Sequence, residues 1–209
     1  MQRRELAAFC HRAYELFHRP CYISPDPLEV VREYGDLADR EVVALLASSL
    51  ALGRVGAIVP AVRSVLRRLE RIDASPASAI RGASPTRLRE ICDGFVYRFF
   101  DAGQLAGLMG GLRLVLSRHG SLEACVASGA GETGEAAGGG LLGGLSKLVD
   151  EIVDGADGRL DRSILLSRPD RGSACKRLLL FARWMVRQDE IDPGGWTELH
   201  PSDLMMPVD

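Results

Sequence analysis

Arg171-Gly-Ser-Ala-Cys-Lys176-Arg-Leu-Leu-Leu-Phe-Ala-Arg-Trp-Met-Val-Arg187 sets a glycine turn, a lysine and a long apolar run in immediate succession. From Leu178 the run is apolar nearly all round, with Phe181, Ala182 and Met185 on one stripe and Leu179, Leu180 and Val186 on others, which predicts a buried helix. Gly172 permits the backbone angles that turn one helix sharply into another, and Ser173 and Ala174 are small enough for a ligand to approach closely. The first amides of the new helix have no intrahelical acceptor, so the segment Gly172 to Cys175 reads as a seat for phosphate. Lys176 falls in the first turn, where the helix dipole and the neighbouring Arg171 and Arg177 oppose a positive charge and, with burial, lower the pKa of its amine. Only the neutral amine attacks carbon, a state that arginine does not reach. Of 26 basic residues only Lys147 and Lys176 are lysines. Downstream, Met206-Pro-Val-Asp209 supplies an aspartate that can take a proton and balance positive charge developing on a sugar.

Outward from this stretch, the charge pattern is uneven. Between Arg159 and Arg187 eight basic residues, including Arg162 and Arg168, face only Asp161 and Asp170, although the whole chain carries a net charge of −2. That local excess fits a confined phosphate-binding surface, with Arg162, Arg168, Arg171 and Arg177 as its cations, and argues against a protein that coats nucleic acid everywhere. The same arginines could instead solvate helix ends or pair with carboxylates. Arg54, after Ala51-Leu-Gly53, sits at a turn between two helical patterns and is a further candidate for DNA contact, with a surface arginine at a helix end as the plainer reading. Tyr97-Arg98-Phe99 could read a base, but Phe99 and Phe100 are expected to pack the core.

Composition excludes several classes. No apolar run approaches the roughly 20 residues that span a bilayer, and the N-terminus lacks the apolar segment of a signal peptide, so the expectation is a soluble, cytoplasmic protein with no membrane partner. Five cysteines at 10, 21, 92, 125 and 175 show no Cys-x-x-Cys spacing. Neither a disulfide framework nor a metal or cluster site is supported, and no cofactor is expected.

The periodicity is helical almost throughout. Leu6, Phe9, Cys10, Ala13 and Phe17 repeat at three and four, as do Val42, Leu45, Leu46 and Ser49, then Val62, Val65, Leu66 and Leu69, then Leu105, Leu108, Met109, Leu112 and Leu116, and each set reads as a core face. Ser84-Pro85, Asp101 and Gly120-Ser121 supply cap signals. No segment alternates at hairpin spacing, so essentially no sheet is expected. Residues 129–144 hold eight glycines in sixteen positions and read as a flexible connection, with a helix beginning near Leu141. Trp196, in the Pro- and Gly-rich segment 188–204, reads as a packing anchor, and Asp192 and Asp203 there are alternative acids.

The Gly-x-Ala-x-Lys turn of Gly172 to Lys176 leading into an apolar helix, with Pro-Val-Asp209 downstream, resembles the helix-hairpin-helix DNA glycosylase superfamily. The interval of 33 positions from Lys176 to Asp209 looks more like its archaeal 8-oxoguanine glycosylase branch. More closely, Gly-Ser-Ala-Cys-Lys176-Arg-Leu, Phe181-Ala-Arg-Trp-Met-Val-Arg and Pro201-Ser-Asp-Leu-Met-Met-Pro-Val-Asp look like a bacterial family of unknown function distantly related to these glycosylases, as do Ser24-Pro-Asp-Pro-Leu-Glu, the stretch Glu41 to Leu52 and Val96-Tyr-Arg-Phe. The resemblance implies a Schiff-base role for Lys176 and a catalytic role for Asp209, and it sets Gly172 and Ala174 at the two hairpin glycine positions. Alanine at the second position, and Arg171 where the signature has proline, depart from the pattern.

The expectation is therefore an all-α, two-lobe fold of the helix-hairpin-helix glycosylase kind, incomplete at the C-terminus because nothing follows Asp209. It comprises an N-terminal helical lobe (1–128), the glycine-rich connection (129–144) and a helix-hairpin-helix segment with a truncated end (145–209). The implied function is base-excision DNA repair by a glycosylase and AP lyase. Its ligand is double-stranded DNA carrying a damaged base, oxidised purines among the candidates, with no protein partner predicted. The rival expectations are a non-catalytic DNA-binding module and an inactive truncated product.

Overall fold

A computed structural model describes residues 3–131, 140–161, 163–169 and 173–205. Among these the chain is all-α apart from one tiny hairpin. The helices run in order α1 (Arg3–Phe17), α2 (Leu28–Val31), α3 (Leu37–Ser49), α4 (Val55–Leu69), α5 (Pro76–Gly82) and α6 (Pro85–Cys92), then α7 (Ala102–His119), α8 (Leu122–Ala130), α9 (Leu141–Gly155) and α10 (Lys176–Val186). Strands β1 (Val96–Tyr97) and β2 (Phe100–Asp101) pair antiparallel between α6 and α7. The expectation of essentially no sheet holds, and the one small hairpin escapes notice because two-residue strands are too short to produce the alternation by which a strand is recognised in sequence.

The helix boundaries follow the cap residues. Ser84 Oγ accepts the Arg87 amide at 3.1 Å, Asp101 forms a capping box with Gln104, and Ser121 Oγ accepts the Ala124 amide at 3.0 Å after Gly120 has closed α7 with a φ of +81°. The apolar stripes of α3, α4 and α7 are buried in one continuous core that extends from Leu28 to Leu199. The stripe of α1 is not. Leu6, Phe9, Leu16 and Phe17 are exposed, and no described residue of α1 joins the core, so helical periodicity here marks an amphipathic helix that no element among the described residues covers.

Helix α9 packs along α7 and α8 through glycines rather than large side chains. A Cβ on Gly111 of α7 would land on the Ile152 carbonyl of α9, and one on Gly144 of α9 would land on the Val126 carbonyl of α8. Helix α10 packs on α3, which returns the end of the chain to its beginning. Buried Glu41 of α3 holds three parts together. Its carboxylate accepts the Leu122 and Glu123 amides at the start of α8, at 3.0 and 2.8 Å, and Trp196 Nε1 at 2.7 Å. Burial pushes this carboxyl up from the usual range, and the three donors pull against it. Trp196 also meets Phe181 of α10 edge to face, with centroids 5.2 Å apart, so it anchors the 188–204 segment by packing as its sequence setting suggests.

Candidate functional site

The first turn of α10 lies where three segments meet. Arg177, half-buried, donates to the Ser49 carbonyl at the end of α3 and to the Ile164 carbonyl, and its guanidinium lies 6.0 Å from the Phe100 ring of the hairpin. Burial lowers its pKa from the ordinary arginine value. Arg177 is thus a strut with part of its hydrogen-bonding capacity committed to backbone, a role that local charge counting does not reveal.

The turn into α10 has two features that the sequence does not mark. Among its described residues the left-handed one is Cys175, with φ +47° and ψ +30°. Buried Cys175 has no side-chain role in capping, and Ser173 Oγ accepts its amide at 3.2 Å. Helix α9 also ends at Gly155, and no α-helix occurs among the described residues between there and Lys176. Among the described residues, 163–169 and 173–175 approach α10 as loop without α-helix. Ser163 and Ser167 favour local side-chain bonds over helix, as when Ser163 Oγ accepts the Leu165 amide, and Pro169 lacks an N–H to donate.

That loop and the start of α10 enclose a cleft of about 370 Å³, lined among others by Asp161, Ser163, Ser167, Arg168, Ser173 and Arg177. Three hydroxyls and two guanidinium groups, set against the single Asp161 carboxylate, give the cleft donors that suit an anion such as phosphate. Arg168 is also paired with Asp150 of α9. Of the expected phosphate ligands, the structure brings Arg168, Ser173 and Arg177 into this cleft. Ala174 is exposed beside it, while Arg162, Arg171 and Gly172 lie outside the described residues.

Lys176 lines a different depression. It is exposed rather than buried, and with Leu179, Leu180, Arg183, Arg187, Leu204 and Met205 it borders a mostly apolar groove of about 310 Å³. The two arginines are not loose cations. Arg183 Nε lies 3.0 Å and Arg187 Nε 3.4 Å from Oδ2 of Asp192, which is fully buried. Burial raises the Asp192 carboxyl from its usual range while the two arginines pull it back. Asp203 accepts the His200 amide at 2.8 Å in a short 3₁₀ turn. Asp192 is therefore committed to an internal ion pair and Asp203 to a turn, and neither stands as the alternative acid. Asp209 lies outside the described residues.

The hairpin forms the third part of this face. Tyr97 is buried and its hydroxyl donates to the Leu52 carbonyl at 2.8 Å, which ties the hairpin to the α3–α4 turn. Phe100 packs the core as expected, but Phe99 does not: it is 70% exposed, with the Arg98 guanidinium 5.8 Å from its ring. Arg98 takes a positive φ of +54° and lays its side chain across Gly53, where a Cβ would come within 3.0 Å of its guanidinium carbon. Arg54, the exposed N-cap of α4, follows directly. An arginine at a positive φ and an exposed phenylalanine occupy turn positions that ordinarily take glycine or asparagine. The left-handed backbone is visible only in the structure, because no glycine or asparagine marks the turn in the sequence.

The profile of the DUF2400 family, described as a protein of unknown function, matches residues 26–209. The chain belongs to the DUF2400 family. No curated protein and no solved structure matches it. The DUF2400 match takes in every part of this face, from the α3–α4 turn through the hairpin to α10, and begins after α1. In this DUF2400 chain no group of three or more His, Cys, Asp or Glu side chains among the described residues could hold a metal ion. Nor is any helix among them long and apolar enough to cross a membrane.

Proposed function

We propose that the protein acts on damaged double-stranded DNA as a base-excision glycosylase with lyase capacity, using Lys176 as its nucleophile. The observation that carries this reading is the position of Lys176 at the start of α10. On one side of the helix start lies the serine- and arginine-lined cleft, and Lys176 opens onto the apolar groove. Ser173 of the cleft and Lys176 of the groove are three residues apart, and in this reading a strand held by its phosphate at the first presents the adjoining nucleotide to the second. A flipped base suits a pocket with apolar walls and a few polar groups at its edge.

In the proposed reaction the neutral Lys176 amine attacks C1′ of the nucleotide, the bond from C1′ to the base nitrogen breaks, and the base departs with that electron pair. The attacking nitrogen then gives up a proton, the bond from C1′ to O4′ breaks as O4′ takes up a proton, and the nitrogen lone pair forms a protonated imine between Lys176 and C1′. The resemblance to the helix-hairpin-helix glycosylases assigns the accompanying proton transfer to Asp209. Arg54, Arg98 and exposed Phe99 would extend the contact surface beyond the helix start, the arginines to phosphates and the phenylalanine to a base face.

A second reading, a DNA-binding module without chemistry, is favoured by one observation: Lys176 is exposed at the edge of an open groove, where a cation can meet a phosphate without entering a pocket. Sodium borohydride reduction with an abasic-site duplex and an 8-oxoguanine duplex tests the proposal. The expected result is a covalent protein–DNA adduct that Lys176→Arg abolishes while DNA affinity changes by less than about threefold. Unchanged binding with no adduct from the unsubstituted protein on either duplex would overturn the enzymatic reading in favour of the binding module.

A further inference from the structure

The ion pair at Asp192 is poorly explained by stability alone. Asp192 is fully buried, its Oδ2 meets Nε of both Arg183 and Arg187, and its Oδ1 has no hydrogen-bond partner among the described residues. A buried ion pair seldom stabilises a fold more than apolar groups of the same size would, because both charges lose water, and an unpartnered buried oxygen adds to that cost. The loop that carries Asp192 is also fastened without it. Arg32 donates to the Glu190 and Ile191 carbonyls, Arg40 donates to those of Pro193 and Gly194, and the Gly194 and Trp196 amides donate to the Trp184 and Met185 carbonyls of α10. What the carboxylate fixes is the direction of two guanidinium groups.

The two arginines are not alike. Arg187 also donates through Nη2 to Asp189, and Tyr14 bonds to it as well. Arg183 makes no hydrogen bond among the described residues beyond the one from Nε, and its side chain is 42% exposed, so its terminal N–H groups are open. It stands between the apolar groove and a smaller pocket of about 200 Å³ that it borders with His18, Arg19 and Asp26. The Asp26 carboxyl disfavours an anion on that side. No carboxylate among the described residues lines the groove, where Lys176, Leu180, Arg183 and Arg187 succeed one another at four, three and four residues along one face of the helix.

We infer that Arg183, aimed by Asp192, binds a backbone phosphate of the strand that Lys176 attacks, an inference that rests on the proposed function. Arg183 lies about 10 Å along the helix from Lys176. Ser173 of the cleft precedes Lys176 and Arg183 follows it, so the strand is held on both sides of the nucleotide presented to the amine. An arginine fixed through Nε offers its two terminal nitrogens in one plane, the geometry that two phosphate oxygens accept. Asp192 touches no DNA and is a positioning residue.

Binding to an abasic-site duplex between about 50 and 200 mM salt, read by fluorescence anisotropy, provides the test. Arg183→Gln should weaken binding about tenfold and reduce the slope of log affinity against log salt by about 0.9, the loss of one phosphate contact. Arg183→Lys leaves Asp192 a cationic neighbour and so spares the fold. It should lose most of the same affinity, since one ammonium cannot serve both the carboxylate and the phosphate. Arg32→Gln, which removes an arginine that braces the same loop, should leave the slope unchanged. Asp192→Asn separates aim from charge. It removes a negative charge, which by attraction alone strengthens binding, whereas loss of aim weakens it at least about threefold. Salt-dependent binding that both Arg183 variants leave unchanged would overturn this inference alone, as would stronger binding by Asp192→Asn. No salt-dependent binding by the unsubstituted chain would overturn both this site and the DNA reading beneath it.

Discussion

At the residue scale, burial sorts groups that look alike in the sequence. The five cysteines divide into exposed Cys10 and Cys21 and buried Cys92, Cys125 and Cys175. Burial pushes the Cys92 and Cys125 thiols up to about 12, so almost no thiolate is present at neutral pH, and the thiolate is the species that reacts. Titration of the native protein with a thiol reagent at pH 8 should therefore modify two cysteines quickly and the other three only after denaturant is added. Three or more fast thiols would contradict the packing of α6 and α8. The arginines divide in the same way. Arg168, Arg183 and Arg187 are paired with carboxylates and Arg177 bonds backbone carbonyls, so the basic excess after Arg159 is largely an internal network with one cleft set into it. Their partners, Asp150, Asp192 and Asp189, are 18, 9 and 2 residues away, and nothing local in the sequence selects them.

At the scale of elements, the sequence conveys helices well and helix contacts poorly. Caps at Ser84, Asp101 and Ser121 and the stripes of α3, α4 and α7 are written in local patterns, because capping and amphipathicity depend on residues within a turn or two. The close approaches of α9 are not, since a glycine in a helix looks like a weakness until its neighbour is known. Gly111 and Gly144 each let a helix rest against the backbone of the next. Alanine normally stabilises an exposed helical position relative to glycine by about 1 kcal/mol. Here Gly111→Ala and Gly144→Ala should instead destabilise the protein by about 2 kcal/mol or more, because backbone must move. Gly56→Ala in α4, where nothing lies within 4 Å of the added carbon, should be neutral or stabilising. Urea midpoints for the three variants decide the matter, and equal effects would show that the helices do not touch as described. The same limit explains the hairpin: its strands are too short for alternation, and Phe99 at its tip cannot be told by sequence from its buried neighbour Phe100.

At the scale of the whole molecule, the candidate site is assembled from segments far apart in the chain, each with candidate residues of its own but none with a local sign that they meet. The start of α10 carried its own signal in glycine, serine, lysine and the apolar run. The surfaces that frame it come from the α3–α4 turn, the hairpin and the loop before α10, brought together by the long-range bonds of Arg177 and Tyr97. One further long-range connection bears on how the chain reaches this arrangement. The Glu41 carboxylate bonds Trp196, 155 residues away, as well as the start of α8. The last segment docks on a surface made by α3, α8 and α10, so this closure is expected to form after the rate-limiting step of folding. Trp196→Phe should then speed unfolding by most of its stability loss and leave the refolding rate nearly unchanged. The tryptophan acts as a latch on the finished fold: it governs how long the native state lasts more than how fast it is reached.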